Sequence, residues 1–405
     1  MSLYTAQDSA TFLIIAEFRK TTDNSGMNES IYRFWYFERP ALAQQILHTF
    51  EFGTGDPIAL MGERRIGKTL FLLNDLIPAA RKRGMLSIYV DLWQEREQPL
   101  EALNAALQAA IDDAQVPASK LGRRLATPVK KLGLAGGSMD FGEEPARQRP
   151  NRPHLLVDFL LRQLIDLVNK DILLMLDEVQ MLAQLSTGEQ IIAAIRTAIT
   201  KHRDRVRVVF TGSSEAELRT LLFRSRAALY EGASAMRFPY LDEKFVQFVA
   251  ARASQRLKRT LDLKALGQAF EQLHYRPRLL IDLVLMFVSS GSSSLLTFLE
   301  SSMAHQLETA DFQTQWDALT PLQRAICEAI ATARPISAVA TRVDYARAVG
   351  RSARSGPVAT GTVSTALSAL LAARLINRAP AERGQYRFDD PLFSAWVRRQ
   401  SESRK

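Results

Sequence analysis

The sequence predicts an α/β P-loop nucleotide-binding domain with a mainly parallel sheet, followed by an α-helical lid and a winged helix-turn-helix domain. Three observations predict it. Gly62-Glu63-Arg64-Arg65-Ile66-Gly67-Lys68-Thr69 has the spacing G-x-x-x-x-G-K-[ST] of a phosphate-binding loop. Asp171-Ile172-Leu173-Leu174-Met175-Leu176-Asp177-Glu178 is an apolar run that ends in two acids. From Asp242 onward apolar residues recur at helical spacing, interrupted only by two short strand-like runs near the end.

Length and composition agree with that reading. A chain of 405 residues has room for two or three domains, each with its own core. With 47% hydrophobic and 23% charged residues, the chain reads as a soluble globular protein. No apolar run approaches the ~18 residues of a bilayer span, and the first residues lack a signal-peptide pattern. No membrane association is expected, and the expected compartment is the cytoplasm. Cys327 is the single cysteine, which excludes an internal disulfide or a cysteine metal cluster, and it reads as a buried helix position. His48, His154, His202, His274 and His305 have no metal-ligand spacing. The net charge of +9 suits an anionic partner. It is uneven: residues 334–378 hold seven arginines and one aspartate, and residues 118–153 hold eight Lys/Arg and three acids.

Residues 1–28 read as an N-terminal extension, with Met27 as an alternative start. Phe34-Trp35-Tyr36-Phe37-Glu38-Arg39-Pro40 leads into a helix from Ala41 to Phe50, with Pro40 suited to a first turn. Arg39 and Phe37 are candidates to contact a base; equally, the aromatics are core and Arg39 is a surface cation. Pro57 to Met61 reads as a buried strand, and Leu70, Phe71, Leu72, Leu73, Leu76 and Ile77 as the helix after the loop. Leu86 to Leu92 is a second strand and Leu100 to Ile111 a second helix. The order β-α-β-α implies a parallel sheet. Residues 114–153 read as a basic insertion, with a small hairpin around Gly136-Gly137. Leu155 to Val168 and Ile191 to Ile199 read as helices, and Val206 to Ser214 as a strand that ends in small polar residues, with a plain turn as the other reading of that end. Leu221 to Tyr230, with Arg224 and Arg226, reads as helical, and Ala235 to Pro239 as a last strand. Glu243–Arg259, Leu261–His274, Pro277–Val288 and Leu295–Leu307 are the lid helices. The last segment shows helices at Pro321–Ala331, Val343–Val349 and Gly361–Ala373, then strands at Leu375–Arg378 and Gln385–Phe388. Three helices and a basic hairpin are the order of a winged helix, whose third helix can enter a major groove. Thr362, Ser364, Thr365 and Ser368 on that helix, with Arg374, Arg378, Arg383 and Arg387 around the hairpin, suit DNA; packing against protein is the other use of such a domain.

The chemistry follows from position. Strand, glycine turn and helix start turn backbone N–H groups toward a phosphate, and the helix dipole adds roughly half a positive charge there. Gly62, Glu63, Arg64, Arg65, Ile66, Gly67, Lys68, Thr69 and Leu70 are therefore the nucleotide-binding stretch. Lys68 reaches the β- and γ-phosphates and Thr69 ligates Mg²⁺. A strand buried on both faces is apolar throughout, and its C-terminal end brings Asp177 to the metal and Glu178 to the attacking water. Ser213 is the candidate γ-phosphate sensor, and Arg278, beside Pro277 at a helix start, is a candidate lid contact to the nucleotide.

With Gly62 to Thr69, Leu173 to Gln180, Thr211-Gly212-Ser213, Arg276-Pro277-Arg278-Leu279-Leu280 and Tyr386 to Phe393 followed by Trp396 in this order, the chain resembles an AAA+-type P-loop ATPase. It is similar to the archaeal/bacterial ATPase group related to origin-recognition-type and STAND ATPases, over Phe37 to Arg399. The resemblance implies a parallel strand inserted between the P-loop and Walker B strands, ATP and Mg²⁺ as ligands, ATP hydrolysis, and a sensor role for Ser213. Two positions depart from the group's pattern: Tyr275 stands where its lid helices often have Gly, and Leu229-Tyr230-Glu231-Gly232 lacks the arginine often found there. The domains expected are an extension at 1–28, an AAA+-like nucleotide-binding domain at 29–240, a helical lid at 241–310 and a winged-helix domain at 311–405. The expected function is a slow or partner-stimulated ATP hydrolase, acting as a nucleotide-driven switch, with double-stranded DNA bound through 334–390 and an oligomer left open. The alternative is a STAND-like signalling regulator whose winged helix and lid bind a protein partner. A nucleotide scaffold with negligible turnover is a third reading.

Overall fold

The computed structural model describes residues 33–53, 55–115, 149–225, 227–309, 312–351, 356–373, 375–378 and 386–403. The expected extension at 1–28, the hairpin around Gly136-Gly137, Arg226, Arg374, Arg383 and the side chain of Arg378 lie outside the described residues. The chain divides into two compact units, Phe37–Tyr240 and Leu241–Lys405 with Met1–Tyr36.

The first unit is built on a five-stranded, all-parallel sheet. Its strands are β1 (Ile58–Met61), β2 (Leu86–Asp91), β3 (Ile172–Asp177), β4 (Val206–Gly212) and β5 (Ser234–Arg237), in spatial order β2-β3-β4-β1-β5. β4 thus lies between the phosphate-loop strand β1 and the acid-bearing strand β3. Both faces of β3 are apolar because each faces a helical layer. Ile172, Leu174 and Leu176 point into one core and Leu173 and Met175 into the other. The first layer holds α4 (Pro99–Gln115), α5 (Pro153–Val168) and α6 (Gly188–Lys201), through Leu103, Leu107, Leu160, Leu164, Ile192 and Ile195 among others. The second holds α1 (Pro40–Phe52) and the helix after the loop, through Ile46, Phe50, Phe71 and Leu76.

The helix after the loop is not uniform. α2 (Lys68–Phe71) widens into a π-helical turn at Leu72–Leu76 before α3 (Ile77–Lys82). Pro78 sits just past that turn. Proline lacks an N–H and its ring crowds the preceding carbonyl, and a widened turn accommodates both. The buried Asp75 on this turn accepts the backbone N–H of Arg39 at 2.9 Å, tying the start of α1 to it.

One expected element is corrected. The helix expected over Leu221–Tyr230 is α7 (Glu215–Phe223). The Ser214 hydroxyl caps its N-terminus by accepting from Glu217 N, which starts the helix early, and Arg224 is already extended. Arg224 is therefore past the end of the helix.

The second unit is helical: α8 (Glu243–Leu257), α9 (Leu263–Gln272), α10 (Pro277–Ser290), α11 (Leu295–Thr309), α12 (Phe312–Asp317), α13 (Pro321–Ala331), α14 (Val339–Ala348) and α15 (Thr360–Ala372), then β6 (Ile376–Arg378) paired antiparallel with β7 (Tyr386–Phe388), then α16 (Pro391–Ser403). Trp316, Trp396, Phe312 and Phe393 form the aromatic centre of its C-terminal core, with Cys327 buried beside them. Thr320 and Gln323 form a reciprocal capping box that starts α13.

Candidate active site

The site forms at the C-terminal edge of the sheet, between the loop after β1 and the ends of β3 and β4. Gly67 is left-handed at φ 97, a conformation open to glycine at no steric cost, and it turns the chain into α2. Arg65 is also left-handed, at φ 64, and exposed. Ile66 is buried against the second core, so the loop is anchored from beneath. Lys68 is 6% exposed, and its Nζ donates to Gly62 O at 2.7 Å and to Glu63 O. Burial lowers its pKa from 10.5 to about 8; Glu178 and Asp177 oppose that shift and Arg64 adds to it. Thr69 and Leu70 face solvent.

Asp177 is 2% exposed and accepts four hydrogen bonds. Oδ2 accepts from Thr69 Oγ1 at 2.7 Å and Tyr89 OH at 3.0 Å; Oδ1 accepts from Glu178 N at 2.9 Å and from the Thr211 hydroxyl. Glu178 follows in a left-handed conformation, φ 57, which swings its side chain off the strand. Glu178 Oε2 accepts from Ser213 Oγ at 2.8 Å and from Gln180 Nε2. Ser213 Oγ in turn accepts from Arg64 Nε at 3.0 Å and Gln180 Nε2 at 2.9 Å, and Ser213 N donates to Gln180 Oε1 at 3.1 Å. Gly212 makes room for this: a Cβ there would lie 2.5 Å from Gln180 Oε1. Lys68, Thr69, Asp177, Glu178, Ser213 and Arg64 thus share one polar cluster.

The donor set suits a hard divalent cation. Thr69 Oγ1 and Asp177 Oδ2 are oxygens 2.7 Å apart. Among the described residues no group of three or more His, Cys, Asp or Glu is placed to hold a metal. A metal here would take few protein ligands and complete its shell with phosphate oxygens and water, as Mg²⁺ prefers.

Arg39 and Arg278 make contacts within the protein. The Arg39 guanidinium donates to Pro239 O at 2.8 Å and Ile66 O at 3.0 Å, and lies 4.2 Å over the Phe238 ring. It grips the underside of the loop, so its observed contacts are to protein. Arg278 Nε donates to Asp282 at 2.8 Å, one turn along α10.

A family model described as an ATPase domain predominantly from Archaea matches residues 36–283. The chain belongs to that ATPase family. Among solved structures, the Walker-type ATPase PabY2304 of Pyrococcus abyssi is similar over 90% of this chain and 96% of that one, with 17% identity and a TM-score of 0.57. The Aeropyrum pernix ORC2 protein, in ADPNP–ADP complexes, is similar over 92% of this chain and 98% of that one, with 15% identity and a TM-score of 0.53. No curated protein gives a significant match. The fold is that of an AAA+-type P-loop ATPase, shared with the ORC2 protein, and as a member of its family the chain binds nucleotide and hydrolyses ATP.

Three residues of the ATPase's site escaped the sequence reading. Gln180 holds both Glu178 and Ser213, and its only signal was its place two residues past Glu178. Tyr89 donates to Asp177 across the sheet, and burial, followed by the nearby Asp177 charge, raises its pKa. Asp91 pairs in register with Asp177, and burial raises its pKa too, with Asp177 and Glu178 adding to the rise. The signal for both was the end of β2, one strand over from the acids.

Proposed function

We propose that the ATPase is a Mg²⁺-dependent nucleotide switch of the cytoplasm, slow or partner-stimulated, that binds double-stranded DNA through its C-terminal unit. Lys68 holds the β- and γ-phosphates, and Thr69 and Asp177 hold Mg²⁺, which neutralises phosphate charge when bound. Glu178 orients the attacking water with Oε1, since Oε2 is occupied by Ser213 and Gln180. Ser213 reports on the γ-phosphate, and Arg278 is the lid arginine of this reading.

The DNA reading is carried by α15. Val363, Leu367 and Leu370 are buried, while Thr362, Ser364, Thr365 and Ser368 are exposed. A helix that packs by one stripe and offers hydroxyls on the other, followed by the β6–β7 hairpin, has the elements of a winged helix. The basic stretch at 334–378 supplies phosphate contacts, with Arg347 and Arg351 exposed. Two observations favour the alternative, a STAND-like regulator that binds a protein partner: Asp344 pairs with both Arg334 and Arg347, and Arg387 is half-buried with its pKa lowered by burial to about 10.

ATP turnover with and without duplex DNA tests the reading, together with duplex affinity across a salt series. The expected result is DNA-stimulated turnover that Glu178→Gln abolishes. Affinity is expected to fall with salt at a log–log slope of about −0.9 per phosphate contacted. Absence of duplex binding at any salt would reject the DNA arm, and equal turnover by wild type and Glu178→Gln would reject the switch.

A further inference from the structure

Arg64 links the phosphate loop to the end of β4. Its Nε donates to Ser213 Oγ at 3.0 Å, across the space between the loop and the Glu178 carboxylate. It lies close enough to Lys68 to disfavour that ammonium. The side chain is half-buried, and among the described residues no carboxylate lies within ion-pair distance of it. Its terminal nitrogens have no hydrogen-bond partner among the described residues, so four of the five N–H donors of its fork are uncommitted. Arg64 and Lys68 repel each other across the loop, a repulsion that Glu178 and Asp177 offset at Lys68, and an anion that both cations touch removes it.

Ser213 makes this placement specific. A hydroxyl has one hydrogen and two lone pairs. Its hydrogen goes to Glu178 Oε2, and its lone pairs take Arg64 Nε and Gln180 Nε2. One oxygen therefore sets the position of both a carboxylate that can hold water and a guanidinium that can hold phosphate.

We propose that Arg64 is a catalytic residue of ATP hydrolysis, an arginine finger supplied in cis by the phosphate loop and aimed at the γ-phosphoryl group. The inference rests on the reading of Glu178 as the group that activates water. The water oxygen attacks the γ-phosphorus while the bond from that phosphorus to the β,γ-bridging oxygen breaks. The electron pair of that bond leaves with ADP. One water proton passes to Glu178 and then to solvent, so ATP and water give ADP, inorganic phosphate and a proton. Negative charge that builds on the γ-oxygens and the bridging oxygen meets the planar fork of Arg64. The Lys68 point charge serves both ground state and transition state. An arginine differs from a lysine here because its fork can hold two oxygens at once with Nε already fixed.

The test uses the full chain as wild type, Arg64→Ala, Arg64→Lys and Lys68→Ala. It measures affinity for ADP and for a non-hydrolysable ATP analogue, the single-turnover rate, and the gain in ADP affinity on adding aluminium fluoride, which mimics the transferring phosphoryl group. Arg64→Ala is expected to hold ADP within about threefold of wild type, to lose about 10³ in single-turnover rate, and to lose the gain from aluminium fluoride. Arg64→Lys, which keeps the charge and serves if the alanine variant does not fold, is expected to restore less than a tenth of the rate. A rate within tenfold of wild type in Arg64→Ala overturns the inference. So does a loss of analogue affinity equal to the loss of rate, or a wild type that gains nothing from aluminium fluoride. Retained nucleotide affinity in Lys68→Ala would instead overturn the assignment of the phosphate loop, and equal hydrolysis by Glu178→Gln the role of the base.

Discussion

Lys68 is 6% exposed, and burial brings its pKa from 10.5 to about 8. Below about pH 8 the ammonium is charged in the folded and the unfolded chain alike. Between about 8 and 10.5 the unfolded chain keeps a proton that the folded chain has lost, so this group makes stability rise with pH over that window. With Lys68 holding the phosphates as proposed, nucleotide affinity is expected to move the other way, because its charge disappears over the same window. ADP affinity, followed by fluorescence titration, is expected to be flat near pH 7 and to fall by up to about tenfold per unit above pH 8. A profile flat to pH 9.5 would show that the loop carbonyls of Gly62 and Glu63 hold the proton more firmly than burial removes it. Charge at this residue was legible in the sequence; its depth was not, because it depends on how the loop folds to bring the Gly62 and Glu63 carbonyls onto the ammonium.

Element by element, the strands were legible because a doubly covered parallel strand must be apolar on both faces, and β3 is. Helix ends were less so. Ser214 read as the end of a strand, yet its hydroxyl caps α7 and starts that helix earlier in the chain than its apolar spacing suggests. The helix α8 ends at Lys258, which is exposed and left-handed at φ 54, a position that costs an L-residue and not glycine. Lys258→Gly is expected to stabilise the second unit by about 1 kcal/mol, read as a higher denaturation midpoint with nucleotide affinity unchanged. A lower midpoint would mean that the lysine stem packs on the helix end by more than the backbone gains.

At the scale of the molecule, two units meet the solvent with different jobs. The first holds every residue of the phosphate-loop cluster, from Arg64 to Ser213. Within the second unit a polar knot joins residues far apart in sequence. Arg276, 5% exposed at the start of α10, lies 3.8 Å from Asp389 just past β7, and Asp389 accepts from Asn377 of β6 at 2.7 Å. Removing one partner leaves a buried charge uncompensated. Asp389→Ala is expected to lower the unfolding free energy of this unit by about 3 kcal/mol in chemical denaturation. Asp389→Asn is expected to lose less, because it can still accept from Asn377. Equal losses for the two would mean that the charge on Asp389 counts for more than its bond to Asn377. The motif Arg276-Pro277-Arg278 was visible as a helix start, with its first arginine unassigned; only the fold shows that this arginine is a core group of the unit.

By itself the sequence determined the phosphate loop, the apolar strand that ends in Asp177 and Glu178, the parallel class of the sheet and the switch to helices after Asp242. Those features are local: spacing, periodicity and the types of neighbouring residues define them. Tertiary structure decided what meets across strands. Tyr89 donates to Asp177, Gln180 bridges Glu178 to Ser213, and Arg64 reaches Ser213, at sequence separations of 88, 33 and 149 residues for the three contacts Tyr89–Asp177, Gln180–Ser213 and Arg64–Ser213. No periodicity records such meetings. They follow from the strand order, which sets β3 and β4 side by side, with the loop after β1 beside them.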